Sequence, residues 1–177
     1  MRVHKSVPFV DRTKPQPMTS ESTTHTSEQV PGRTLSERLV GTWSLRSRID
    51  RTATGERVDE PALGADPIAL VYFDRSGNFA AQFMRREPSA ADSATTAAGT
   101  NNTRAVAGYD AYFGTYRIDE ANGIVTTTLT GAIAREHIGA VLTRSLHVDG
   151  DTLTITLETS SADGPPVTRT LTWTRVG

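Results

Sequence analysis

The stretch from Ala140 to Thr159 constrains the fold of this chain more than any other. Two alternating segments, Ala140–Val148 and Thr152–Thr159, flank Asp149-Gly150. A period of two marks a strand with one buried face, and Asp-Gly between two such segments is the favoured two-residue type I′ hairpin loop. Counting outward from that loop sets Leu146 opposite Leu153, Arg144 opposite Ile155 and Leu142 opposite Leu157. The apolar faces coincide, so the hairpin specifies its own register.

The same pattern recurs along the chain. Trp43, Leu45, Ser47 and Ile49 share one face of a strand and Ser44, Arg46 and Arg48 the other. Ile68–Phe73 is a short apolar run, and Asp74-Arg75-Ser76-Gly77-Asn78 has turn chemistry before the next strand, Phe79–Met84. Ala111–Ile118 and Ile124–Thr130 flank Asn122-Gly123, and Gly164-Pro165-Pro166 turns into Val167–Arg175. Recurrent strands with turns between them imply an all-β, antiparallel barrel of about eight strands, the number that can hold one small ligand. It is expected to span residues 35–177 and to open with a short helical turn over Leu35–Val40.

Two segments break the pattern. Residues 1–34 carry Pro8, Pro15, Pro17 and Pro31 among many Ser and Thr, with almost no large apolar residues. Such a stretch cannot offset its ordering entropy by burial, so a disordered tail is expected. Residues 85–108 are rich in Ala, Ser, Thr and Asn. A long loop of this kind at a barrel rim reads as a lid over the mouth, with a helical turn near Thr103–Ala107.

Composition excludes several functions. A net charge of −1 over 177 residues lacks the basic stripe of a nucleic-acid surface and does not favour electrostatic membrane attachment. With no cysteine there is no disulfide, thiolate nucleophile or sulfur metal site. No apolar run approaches the ~18 residues of a membrane span, and no secretory signal is expected at the N-terminus. His137 and His147 are the histidines of the expected barrel, too few for a three-histidine zinc centre. No glycine-rich phosphate loop precedes a helix. Neither a cofactor nor a metal is expected, and the default location is the cytoplasm.

Arg144 is the most informative single residue. Ala140, Leu142, Leu146 and Val148 share its face, so the guanidinium points into the barrel. A buried charge needs a partner. Two readings stand open: an internal structural contact, either an ion pair with Glu136 as a candidate or a ring stack, or a clamp for a ligand carboxylate, enolate or phenolate. Arg169 shares a face with Val167, Leu171 and Trp173 and poses the same question. Tyr112, Gly114, Tyr116 and Ile118 line one face, which suits a pocket wall with polar tips and suits a plain core. Gly114 between the tyrosines either relieves crowding at a bulge or makes room for a ligand. Glu136 and His137, in an irregular segment beside Gly139, are the candidates for acid–base work, whereas His147 alternates with Thr143 and Ser145 toward solvent.

Several of these segments together resemble a known family. Leu39-Val40-Gly41-Thr42-Trp43-Ser44-Leu45, Tyr72-Phe73-Asp74-Arg75-Ser76-Gly77-Asn78-Phe79-Ala80-Ala81-Gln82, Ala111-Tyr112-Phe113-Gly114-Thr115-Tyr116, Asp149-Gly150-Asp151-Thr152-Leu153-Thr154 and Leu171-Thr172-Trp173-Thr174-Arg175 are similar, in this order, to the conserved stretches of bacterial and fungal lipocalin-like domains. The resemblance implies a lipocalin-like barrel with Trp43 stacked under Arg175 at its closed end. It also implies a small hydrophobic ligand inside, with an anionic group as one option. Related barrels of natural-product pathways are cofactor-free cyclases, and others only carry ligands. On the first reading Arg144, His137, Glu136 and Tyr116 are the expected catalytic groups of a cyclase or isomerase. Tyr72, Phe83, Tyr112, Leu142, Arg169 and Trp173 are the expected ligand contacts. On the second, the same pocket is a carrier or sequestering site. A homodimer is compatible with either.

Overall fold

Thr34 caps a short helix, α1 (Leu35–Leu39). Its hydroxyl accepts from the Glu37 N–H at 3.2 Å, and the Glu37 carboxylate accepts from the Thr34 N–H at 2.9 Å. This is a reciprocal capping box. A carboxylate distant in sequence completes the cap: Glu120 accepts from the Leu35 and Ser36 N–H groups at 2.8 and 2.9 Å. In this computed structural model the described residues are 32–59, 61–87, 98–160 and 164–176. The tail expected over 1–34 therefore lies outside them up to residue 31, and Thr34 belongs to the helix cap.

Nine strands follow: β1 (Gly41–Arg51), β2 (Arg57–Val58), β3 (Ile68–Phe73), β4 (Asn78–Met84), β5 (Tyr109–Asp119), β6 (Ile124–Ala132), β7 (Val141–Asp149), β8 (Thr152–Thr159) and β9 (Val167–Arg175). Each of the strands from β3 to β8 pairs antiparallel with its successor, and β9 returns to β1, which also pairs with β3. Eight strands thus close into a barrel, and the two-residue β2 hangs from the far end of β1. Closure removes the sheet edges that would otherwise invite pairing with another chain.

The helix seals one end. Leu35 and Leu39 are buried beside Trp43, whose indole N–H donates to the Leu39 carbonyl at 2.8 Å. The Arg175 guanidinium lies 4.1 Å from the Trp43 ring centroid, as the family resemblance implies, and donates to the Val40 and Arg38 carbonyls at 2.8 and 2.6 Å. Helix end, opening strand and closing strand are tied by one side chain.

Two features of register differ from expectation. The β7–β8 pairing sets Val148 opposite Leu153 and Asp149 opposite Thr152, so the turn is Gly150-Asp151 and not Asp149-Gly150. Gly150 carries the positive φ of 52° at the first central position, as in a type II′ turn, which spares Asp149 the left-handed conformation that type I′ demands. The pairing slides by two residues, an even number, so the same side chains still face inward. The second difference lies in β1. A bulge between Leu45 and Ser47 inserts an extra residue. The expected face of Ser47 and Ile49 is thereby exchanged, and Arg48 and Asp50 turn inward, 7% and 6% exposed.

Gly114 proves to sit at a bulge. The β5–β6 register shifts between Phe113 and Gly114, and the backbones come so close that a Cβ at Gly114 would collide with the Thr128 carbonyl. Gly114→Ala is expected to destabilise the fold by about 1–3 kcal/mol, as overpacking does. The reading is a lower urea midpoint at unchanged m-value.

Candidate ligand-binding site

Away from the helix end, the barrel interior changes character from apolar to charged. The deeper part is walled by Val71, Phe73, Phe79, Phe83, Leu142, Ile155 and Trp173. Strand alternation places them there: Ala69, Val71 and Phe73 are buried on β3, and Phe79, Ala81 and Phe83 on β4. Phe83 packs edge-on against Trp173, centroids 5.7 Å apart, and stacks on Tyr112 at 6.4 Å. Trp173 is 1% exposed, and its indole N–H meets no acceptor among the described residues.

Toward the mouth the lining becomes Arg48, Asp110, Tyr112, Arg144 and Arg169. Asp50 anchors this group. Arg169 donates to it twice side-on, Nε to Oδ1 and Nη2 to Oδ2, both at 2.8 Å. Arg48 Nη2 stands 3.3 Å from Oδ2. Burial works to raise the Asp50 pKa, but the Arg169 hydrogen bonds and the charges of both arginines hold it below its usual 3.8. Asp110 is also buried and accepts from the Thr103 hydroxyl at 2.6 Å.

Arg144 differs from these. Its Nη1 donates to the Asn101 side-chain oxygen at 2.6 Å and to the Thr143 carbonyl at 3.1 Å. Both acceptors are neutral, and no carboxylate pairs with it among the described residues. Burial presses against its charge and lowers its pKa, with the Arg169 charge adding and the Tyr112 hydroxyl opposing. Arginine stays ionised nonetheless. Burial, aided by the Asp110 charge, pushes the Tyr112 hydroxyl up to about 12, so it stays protonated and able to donate near neutral pH.

A strap crosses this mouth. Residues 98–108 form no helical turn, contrary to the expectation for Thr103–Ala107, because their polar groups are taken one by one by different parts of the barrel. Asn102 accepts from Arg169 Nη1 at 3.0 Å, and Thr100 offers its carbonyl to the Thr159 hydroxyl at 3.0 Å. Ala105 is buried. Residues 88–97 of the expected lid lie outside the described residues. With the strap in place the charged and apolar cavities measure about 30 and 50 Å³. The two share Phe83, Tyr112, Arg144 and Leu171. Ligand pockets usually measure about 300–1,000 Å³, so with the strap in place this interior has room for little more than water.

The remaining expected residues divide. Phe83, Tyr112, Leu142, Arg144, Arg169 and Trp173 line one or both cavities. Tyr72 does not: it points out of the barrel, 37% exposed, because inward positions on β3 belong to Ala69, Val71 and Phe73. Tyr116 leans toward the sealed end, its ring edge-on to Phe73 and its hydroxyl donating to the Asp74 carbonyl at 2.6 Å. Glu136 pairs with Arg104 at 2.6 Å and not with Arg144. His137 Nε2 accepts from the Arg104 backbone N–H at 3.1 Å, so this pair holds the strap and does not line the cavity. Arg48 and Asp50 are the residues that sequence reasoning missed. Their i, i+2 spacing was a visible signal of a shared face, but the bulge that turns that face inward has no local signature.

The profile of the lipocalin-like domain family matches residues 40–176. No curated protein matches the chain. Among solved structures, it is similar to a de novo designed fluorescence-activating β-barrel at 11% identity and a TM-score of 0.39, over 82% of this chain and 100% of that one. No helix among the described residues is long and apolar enough to cross a membrane.

Proposed function

The chain belongs to the lipocalin-like domain family, and on that premise we propose that its barrel binds a small apolar molecule carrying an anionic group. The apolar body occupies the inner cavity and the anion lies on Arg144. One observation carries this reading: Arg144 is a half-buried cation at the junction of the charged and apolar cavities, held only by neutral oxygens. A carboxylate, sulfonate or phenolate there exchanges a neutral acceptor for a charged one, which strengthens a hydrogen bond about twofold. The unmet indole N–H of Trp173 offers a donor deeper in.

Binding without turnover has the better support. Of the four groups expected to act in a cyclisation or isomerisation, Arg144 alone lines the cavity. Glu136, His137 and Tyr116 are engaged elsewhere. A catalytic role rests on Arg144 with Tyr112, a protonated phenol that could stabilise developing negative charge. Native mass spectrometry of protein from its own host distinguishes the two, since a carrier retains its ligand unaltered.

The direct test is fluorescence titration with anilinonaphthalene sulfonate and with its uncharged analogue N-phenylnaphthylamine. Arg144→Met is expected to weaken the sulfonate about tenfold or more, the effect of losing a charged hydrogen bond, and to change the neutral probe little. Equal losses for both probes would refute the anion site.

A further inference from the structure

The β7–β8 ladder stops short of the mouth. Its pairs run from Asp149↔Thr152 to Ser145↔Thr156 and no further, although β7 begins at Val141 and β8 continues to Thr159. The register would place Thr143 opposite Glu158. Instead the Asn101 carboxamide stands between them. Its Nδ2 donates to the carbonyls of Thr143 and Glu158, both at 3.1 Å, and its oxygen accepts from the Thr143 N–H at 3.1 Å. One side chain thus replaces a missing rung of the sheet. The same oxygen receives Arg144 Nη1. Asn101 holds this pose at a φ of 54°, a left-handed conformation that asparagine tolerates better than most residues.

We propose that the gap between β7 and β8 is a lateral portal to the cavity, and that Asn101 is its plug. A ligand anion reaching Arg144 takes the place of the Asn101 carboxamide oxygen, so seating the ligand and opening the gap are one exchange. This rests on the anion-binding reading of Arg144 above. The filled interior gives it a reason, because a ligand of ordinary size is admitted only when the strap leaves. Asn101 is the strap residue that both closes the gap and occupies Arg144. Asn102 holds Arg169, which already has the Asp50 carboxylate.

The test uses the full chain, anilinonaphthalene sulfonate as the probe, and the variants Asn101→Gly, which accepts the positive φ, and Arg144→Met. Stopped-flow association is expected to be about tenfold faster for Asn101→Gly than for wild type, as one charged hydrogen bond no longer has to break. In amide hydrogen exchange of wild type, saturating probe is expected to speed exchange at Thr143 while Ser145, inside the ladder, stays slow. Ordinary ligand binding slows exchange, so acceleration at that amide is the distinctive sign. Binding of the probe with Thr143 equally or more protected, and with association unchanged in Asn101→Gly, overturns the plug and leaves the anion site standing if Arg144→Met still loses affinity. If none of the proteins binds the probe, the anion reading fails. Exchange in probe-free wild type then decides the plug: Thr143 faster than Ser145 supports a gap that opens locally, and equally slow exchange overturns it.

Discussion

Asp50→Ala is expected to lower the unfolding free energy by about 3–5 kcal/mol, the range for removing one partner from a buried ion pair. Arg48 and Arg169 are 7% and 8% exposed and converge on this carboxylate. Without it, the two guanidinium groups lose the carboxylate they share inside the barrel. Guanidinium chloride unfolding reads the effect. Asp50→Asn, which keeps the shape and some hydrogen bonding, should fall between wild type and alanine. A loss below about 1 kcal/mol would mean that the group behaves as a solvated surface pair. The pH dependence has a definite sign. Because the folded Asp50 pKa lies below its usual value, its contribution is fully present above the unfolded value, about 3.9, and is lost as pH falls through the lower folded value. Wild type should therefore lose stability in acid by a component that Asp50→Asn lacks.

Trp43→Ala should be comparably damaging, about 3–5 kcal/mol for a large aromatic removed from a core. Trp43 is fully buried, roofs the sealed end beneath α1 and supports Arg175 from below. Trp43→Phe should recover most of this loss, leaving the Leu39 carbonyl unmet and weakening a cation–π contact worth ~0.5–2 kcal/mol. Thermal unfolding separates the three proteins. Because this end lies away from Arg144, Trp43→Phe is expected to bind anilinonaphthalene sulfonate as wild type does. A large change in probe affinity would place the binding site at the wrong end of the barrel.

Much of the candidate site was legible in the sequence. Arg144 was readable as inward-facing because its neighbours at i±2 are apolar, and alternation on an uninterrupted strand is reliable. Leu142, Tyr112, Arg169 and Trp173 followed by the same count. Tyr72 was misplaced because every residue of Ile68–Phe73 is apolar or aromatic, so nothing in that run distinguishes the two faces. Arg48 was misplaced for a different reason. One bulge residue inverts all that follows on the strand, and it lies in the pairing of β1 with β9, far away in sequence.

Within the chain, the periodicity and turns determined an all-β antiparallel barrel and where its strands lie along the sequence, and the family resemblance implied the contact of Trp43 with Arg175 at one end. The strands and turns are local properties, each depending on residues a few positions apart. Tertiary structure alone decided who partners each charge. Asp50 pairs with Arg48 and Arg169 while Arg144 finds only neutral acceptors, Glu136 and His137 hold the strap, and Asn101 stands in for a strand. Those choices rest on groups 32 to 119 residues apart in sequence. A buried charge requires some partner, but which one it finds depends on where closure of the barrel brings distant strands together.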